Sequence, residues 1–328
     1  MTTMIALPLL ADPRTGGWPT YTAHLAHGLI RAGWDPVIFR ISKRSERTPR
    51  DFGRGLQYWN IALDELAAMA GRIPMLITAV GKSYRSIAAD LMARGSSVVI
   101  HDPTELDQTM RDALQETTVI TIRQIIGDKL QREKIPNVFI GHPYERADRL
   151  PTEIQTRAVT LSRVDFDKNT HLVVEANRIL AENLQIQICG TLNTLYSKIR
   201  LDRIDPDWRR NYAGDWPARS STALPLQIAG TAEAVIDLST IKGDGGGTQY
   251  SFLEILDAGR PMIIHQDWLT GDRRYDEIAP AIYTAIYTPE DLAAAVSESP
   301  TYDSSAAEAI LRDHDSQKIA EQILEVLI

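Results

Sequence analysis

The sequence predicts an α/β protein built as two halves, each a parallel sheet with helices on both faces. Three observations predict it. Short apolar runs alternate with amphipathic stretches over residues 5–141, and the alternation starts again at residue 158. Between the two series lies a polar, charged stretch at 145–156, preceded by Pro143 and containing Pro151. Strand–helix–strand alternation requires crossover connections, which pair the strands in parallel and bury both faces of the sheet.

In the first half, strand patterns fall at 5–10, 36–41, 75–80, 97–101, 119–122 and 138–141. A helical pattern fills 19–32 and stops at Gly33, and another fills 84–94 and stops at Gly95, glycine being the residue that most easily takes the left-handed turn after a helix. In the second half, strands are expected at 158–164, 185–189, 234–238 and 261–265, with helices at 171–181 and 251–258. Leu172, Val173, Ala176, Ile179 and Leu180 share one helical face and read as core. Thr288, Pro289, Glu290 and Asp291 form a helix start, with a hydroxyl cap, proline at the first position and acids in the first turn. The expected division is 1–150, 151–315 and a last helix at 316–328.

A chain of 328 residues is long enough for two domains, each with its own core. Its 44% hydrophobic and 24% charged content is that of a globular protein without low-complexity blocks or fixed repeats. Residues 1–10 are apolar but lack a basic leader and stop at Asp12-Pro13, so they read as a first strand rather than a signal or a membrane span. The single cysteine, Cys189, reads as a small buried hydrophobe, and a reducing, cytoplasmic setting is expected. A net charge of −8 argues against a protein that coats nucleic acid non-specifically.

Two segments carry chemistry. Arg163 and Lys168 stand at the end of a strand pattern, separated by a tight turn, and two cations so placed can grip a diphosphate. Gly245-Gly246-Gly247-Thr248 then opens the helix that carries Gln249 and Glu254, and a glycine-rich turn before a helix offers backbone N–H groups and a positive dipole end to the same anion. Glu254 sits among Phe252, Leu253, Ile255 and Leu256, where a carboxylate needs a partner such as the hydroxyls of a ribose. Gly190, at the end of the 185–189 strand, joins this donor-binding set, and Gly16-Gly17 forms a second amide-rich rim. His101 and Asp102 follow an apolar strand and read either as a cap before Pro103 or as groups lining the reacting end of a sugar; His142 has the same two readings. Asp202, Asp205 and Asp207 lie in a polar segment with no strand before them, so no metal site is read and no metal cofactor is expected to be required.

These segments in this order resemble the family-four-like retaining glycosyltransferases of the GT-B fold: strand, Arg163, Lys168, helix, then the glycine-rich turn, Glu254 and Gly259-Arg260-Pro261. The resemblance extends to Gly16-Gly17 with Tyr21, Leu25 and Leu29. It implies two Rossmann-like domains with parallel sheets facing a central cleft, the first taking the acceptor and the second a nucleotide-sugar donor, with the last helix packing back on the first domain. It also implies transfer without an essential metal and with retention. One departure is plain: such enzymes carry two glutamates eight positions apart, and the position eight before Glu254 is Gly246. On this point, and in His101-Asp102 after an apolar strand, the chain is similar to the bacteriophage α-glucosyltransferases that act on hydroxymethylcytosine in DNA.

The donor is expected to be a UDP-sugar. For the acceptor, the resemblance points to a hydroxymethylated pyrimidine in double-stranded DNA. Arg40, Lys43, Arg44, Arg47, Arg50 and Arg54 lie within one stretch against only Glu46 and Asp51, read as a loop, and supply the best anion-binding surface; Lys198, Arg200, Arg203, Arg209 and Arg210 are further phosphate contacts. A flipped-out base would then present its hydroxymethyl group. A small-molecule, glycan or lipid-linked acceptor is the alternative, favoured by the acidic net charge. Gly246 in place of the second glutamate keeps open a non-catalytic nucleotide-sugar-binding protein or an epimerase. No membrane insertion is expected, and the sequence sets no oligomeric state.

Overall fold

The computed structural model describes residues 3–11, 16–147, 153–192, 194–214, 223–240, 247–269, 276–278 and 280–328. The chain divides into two compact units, Met1–Glu145 with Asp313–Ile328, and Arg146–Arg312.

The first unit runs β1 (Met4–Leu10), α1 (Gly17–Arg31), β2 (Asp35–Ser42), β3 (Arg50–Gly53), β4 (Leu56–Ala62), α2 (Leu63–Met69), β5 (Leu76–Ile77), β6 (Ala79–Val80), α3 (Arg85–Ala93), β7 (Ser97–Ile100), α4 (Gln108–Leu114), β8 (Val119–Thr121), α5 (Gln124–Arg132) and β9 (Val138–Phe139). Its strands order β3-β4-β2-β1-β6 and β5-β7-β8-β9. The run expected as one strand at 75–80 is divided at Thr78, so that β5 pairs with β7 while β6 pairs with β1. Thr78 is fully buried, its N–H donating to the Pro8 carbonyl (3.0 Å) and its hydroxyl meeting that of Thr22 (2.8 Å). Apart from the β3–β4 hairpin, all pairing in the unit's named strands is parallel.

That hairpin corrects the reading of residues 40–54 as a loop. Arg40 lies in β2 and Arg50 in β3, which pairs antiparallel with β4. Gly53, Arg54 and Gly55 all take positive φ (91°, 57°, 75°) and make the reversal. A Gly-Arg-Gly tripeptide ahead of the apolar run of β4 is a turn signal, and the density of charge around it concealed the strands.

The second unit runs β10 (Thr156–Leu161), α6 (Thr170–Ile179), β11 (Ile186–Cys189), α7 (Leu195–Ile204), β12 (Tyr212–Gly214), α8 (Ala223–Gly230), β13 (Ala232–Asp237), α9 (Tyr250–Asp257), β14 (Met262–His265), β15 (Tyr283–Ile286), α10 (Pro289–Glu298) and α11 (Ser304–Asp313). Six parallel strands order β12-β11-β10-β13-β14-β15. Counted within the unit this is 3-2-1-4-5-6, a doubly wound sheet whose strand order reverses between β10 and β13. The core is aliphatic, with Val173, Ile186, Ile188, Ile236, Ile263 and Leu292 buried. Thr288 caps α10 in a reciprocal box with Asp291, as its sequence pattern requires.

α12 (Ser316–Leu327) belongs to the first unit. A Cβ on Gly28 of α1 would stand 2.0 Å from the Ser316 carbonyl oxygen, so the two backbones meet where only glycine fits. The chain entering α12 is fixed by the Tyr144 N–H on the His314 carbonyl (2.7 Å), the Ser316 N–H on the Tyr144 carbonyl (3.0 Å) and Arg31 on Glu145 (3.0 Å) and Asp315 (3.2 Å).

Candidate functional site

In open α/β sheets a crevice forms beyond the carboxyl ends of the strands where the order reverses. In the second unit the segments that follow β10 and β13 meet there. Arg163 and Lys168 belong to the first segment. Asp165 opens its single 3-10 turn, its carboxylate accepting from the Phe166 N–H (2.7 Å) and from the Ser197 hydroxyl (3.0 Å). Asn169 closes the turn in the left-handed region (φ 47°) and donates its amide to the Leu238 carbonyl (3.0 Å). Thr240 donates both its N–H and its hydroxyl to the Asp167 carbonyl (3.0 Å each). The loop after β10 is therefore stitched to the loop after β13.

Within this frame the Arg163 side chain is 53% exposed and pairs with Asp167 Oδ2 at 3.3 Å, an exposed pair that the guanidinium can leave for a ligand at little cost. Lys168 Nζ is anchored on Ser239 Oγ (2.6 Å), a contact that leaves two of its three donors for other partners. Phe166, between them, stacks on His171 (5.1 Å between centroids, 13° interplanar), with the Arg200 guanidinium 3.8 Å above its ring.

Gly190 holds Arg163 from the neighbouring strand. It takes φ +151°, and a Cβ there would stand 1.9 Å from the Ser162 carbonyl oxygen and 3.4 Å from the Arg163 Cα. Its role is thus close approach of backbones. Cys189 beside it is buried, its thiol pushed up to about 11 by that burial.

The glycine-rich turn is described from Gly247 onward; Gly245 and Gly246 lie outside the described residues. Gly247 has φ +83°, and its carbonyl accepts from the buried Trp268 indole (2.8 Å). Thr248 is fully buried, and its N–H donates to Glu277 Oε2 at 3.2 Å. Gln249 stands at the N-cap of α9 without capping it by its side chain, and its Nε2 is buried with no hydrogen-bond partner among the described residues. Glu254 lies one turn into α9 and is buried among Phe252, Leu253, Ile255 and Leu256. The β10 loop thus presents cations, and the start of α9 presents amides and carboxyl or carboxamide groups.

Sequence reasoning passed over two acids. Asp237, the last residue of β13, is buried and accepts from the Ser239 N–H (3.0 Å), the Ser239 hydroxyl and the Ser251 hydroxyl. In an apolar strand its only signal was that a charge there requires partners. The other is Glu105, in the first unit.

The corresponding strand ends of the first unit are lined differently. Gly16 takes φ +110° with open space around the missing side chain, and Gly17 begins α1. His101 is buried, its Nε2–H donates to the Thr78 carbonyl (2.7 Å), and burial lowers its pKa to about 4, so the ring is neutral. The Tyr21 ring meets it edge-on at 4.9 Å. Asp102 caps the turn at Pro103–Glu105 through Thr104 N–H (2.7 Å). Glu105 is buried, accepting from the Trp18 indole (2.9 Å) and from the His101 N–H (3.0 Å), and burial holds its carboxyl well above the usual carboxylate range. His142 is buried in the same unit, its carbonyl bonded to His314 Nδ1 (2.7 Å).

Of the cations read as nucleic-acid contacts, Lys43, Arg44, Arg47 and Arg50 are exposed and Arg40 is half-buried in β2. Arg50 is held by Glu46 through two hydrogen bonds (2.8 and 2.6 Å). In the second unit Asp202 accepts from the Trp208 indole (2.9 Å) and pairs with Arg209. Among the described residues no helix is long and apolar enough to cross a membrane.

No protein-family model matches the chain, and no curated protein matches it in sequence. Solved structures do match in shape. HepE of Anabaena, crystallised in complex with UDP, superposes with a TM-score of 0.74 at 13% identity over 99% of both chains. An α-glucosyltransferase in complex with UDP and a 13-mer DNA containing a HMU base superposes with a TM-score of 0.71 at 12% identity over the whole of both. The lipopolysaccharide outer core galactosyltransferase WaaB gives 0.66 at 11% identity over 99% of each. The chain has the GT-B fold, with two Rossmann-like units.

Proposed function

We propose that this protein is a glycosyltransferase that moves a sugar from a nucleotide-diphosphate donor, a UDP-sugar, to a hydroxyl. The observation that carries the reading is the meeting of two anion-gripping segments at the strand-order reversal of the second unit, joined by Lys168 Nζ on Ser239 Oγ. Arg163 and Lys168 take the donor diphosphate, together with the amides at Gly246, Gly247 and Thr248. Gly190 keeps Arg163 in place, Gln249 and Glu254 take the neutral hydroxyls of the donor, and Gly16-Gly17 adds amides on the acceptor-side unit. As the glycosidic bond breaks, negative charge grows on the departing diphosphate. Fixed cations and amides stabilise that charge without reorganising, the kind of contribution that gives about 3 kcal/mol per group.

The acceptor we propose is a hydroxymethylated pyrimidine in double-stranded DNA, with transfer proceeding with retention in the cytoplasm and without a required metal. The fold likeness to an α-glucosyltransferase crystallised with DNA supports it. So does the exposure of Lys43, Arg44, Arg47 and Arg50, with Arg40 beside them, as phosphate contacts. His101, neutral and fixed by Thr78, and Asp102 would line the acceptor side. A small-molecule, glycan or lipid-linked acceptor is the second reading, favoured by the net charge of −8 and by the equally full fold match to a lipopolysaccharide galactosyltransferase.

The deciding experiment is mass spectrometry of nucleosides released from hydroxymethylated and unmodified DNA after incubation with the protein and a panel of nucleotide sugars. A hexose- or pentose-sized gain on the hydroxymethylated base alone is expected. Donor consumption with no gain on DNA would send the acceptor to the second reading, and conversion of the donor without any acceptor would mark an epimerase.

A further inference from the structure

We infer that Asp237 is a positioning residue that sets Lys168 for the donor through the Ser239 hydroxyl and ties the same carboxylate to the first turn of α9 through Ser251. The inference rests on the proposed donor site. Asp237 ends β13 with 3% of its surface exposed, and among the described residues no Lys, Arg or His pairs with it. A buried carboxylate without a counter-ion is tolerated only where strong donors satisfy it. Here three do: the Ser239 N–H at 3.0 Å, the Ser239 hydroxyl and the Ser251 hydroxyl.

The direction of these bonds matters. Ser239 Oγ gives its only proton to Asp237, so it presents lone pairs alone to Lys168, whose Nζ donates to it at 2.6 Å. The ammonium is thereby oriented by a carboxylate it does not touch. A direct ion pair would occupy and partly neutralise Lys168; an intervening hydroxyl fixes its position and leaves its charge for a diphosphate. Ser251 stands in the first turn of α9, which carries Glu254 three residues from its end at Asp257 and follows Gly247-Thr248. One buried anion thus sets the relative placement of the cationic loop and the amide-bearing helix start, which must close on a ligand together.

The test is amine-selective acylation of the full-length protein, read at Lys168 by mass spectrometry, in wild type, Asp237→Asn and Ser239→Ala. With its anchor weakened, Lys168 should acylate about 5-fold faster in both variants, the factor set by loss of one ordinary hydrogen bond, while exposed Lys43 keeps its wild-type rate. With a UDP-sugar, Asp237→Asn should lower kcat by about 10-fold and change the donor KM less, since orientation is lost while the cation remains. Ser239→Ala keeps Asp237 and guards against misfolding of the first variant. Wild-type acylation rates at Lys168 in a folded Ser239→Ala protein would overturn the inference. A wild-type protein that binds no nucleotide sugar would instead refute the donor site, while the acylation result would still report on Asp237 and Lys168.

Discussion

Both units are built on parallel strands covered by helices, yet the strand ends after β10 and β13 in the second and after β7 in the first are chemically opposite. In the second unit that place carries cations, Arg163 and Lys168, and a buried acid satisfied by hydroxyls. In the first it carries buried groups: the His101 ring, neutral because burial lowers its pKa to about 4, the Glu105 carboxyl, held well above the usual carboxylate range by burial, and the Tyr21 hydroxyl. The lesson is that topology supplies the crevice and the side chains decide what it holds. Exposed charge at one strand end suits an anion, and buried groups of little charge at the other do not.

The largest effect expected is from Lys168→Ala, which removes the anchored cation. Turnover of a UDP-sugar should fall by roughly 10²- to 10³-fold, about 3–4 kcal/mol, with the melting temperature nearly unchanged because the side chain is half-buried and forms one hydrogen bond. An equal loss from Asp102→Ala would erase the contrast between the units.

Gly190→Ala tests the frame rather than the charge. The added methyl would lie 1.9 Å from the Ser162 carbonyl carrying the Arg163 turn, at a φ that side chains rarely take. Strain and overpacking together should cost about 3 kcal/mol, seen as a lower urea midpoint in the transition of the second unit.

Acid should break the first unit first. His24, His101, His142 and His314 all have pKa values lowered, chiefly by burial. The unfolded chain takes up these protons near pH 6.5, so this contribution to stability is complete above that pH and is lost as the pH falls toward the folded values. His101 alone, pushed down to about 4, should cost about 2 kcal/mol by pH 5. Glu105 has the opposite sign, its raised pKa stabilising at low pH and losing that effect as the pH rises, but it is one group against four. Urea titrations at pH 7.5 and 5 should show the loss, and equal midpoints would refute it.

Arg146→Ala probes the second unit away from its reversal. Arg146 Nε holds the buried Asp257 at 3.0 Å and Nη1 holds Glu308 at 2.8 Å. Because Arg146 is half-exposed and the Ala147 N–H also serves Asp257 (3.1 Å), the expected loss is about 1.5 kcal/mol, read as a lower thermal midpoint. Smallest is Glu277→Gln: removing a negative charge from the Thr248 N–H should tighten UDP about 5-fold, near 1 kcal/mol, by isothermal titration. Weaker binding would show that Glu277 assists the donor.

What the sequence disclosed follows the same division. The second unit was legible because its signals are local: glycines before a helix, Arg163 and Lys168 one turn apart, Thr288 ahead of Pro289. Asp237 escaped because its partners, Ser239 and Ser251, gain meaning only once β13 and α9 are placed. Glu105 escaped because Pro103-Thr104-Glu105 looks like an exposed helix start, and the Trp18 indole that buries it lies 87 residues away. The β3–β4 hairpin was hidden because β3 is only four residues, Arg50-Asp51-Phe52-Gly53, at the end of a charged stretch that reads like a loop.

The most direct test of the central claim is isothermal titration of UDP into wild type, Arg163→Ala and Lys168→Ala. The donor-site account predicts measurable binding to wild type, weakened at least about 10-fold by either substitution as a charge-assisted contact is lost. No binding to wild type, or equal binding by all three, would contradict it.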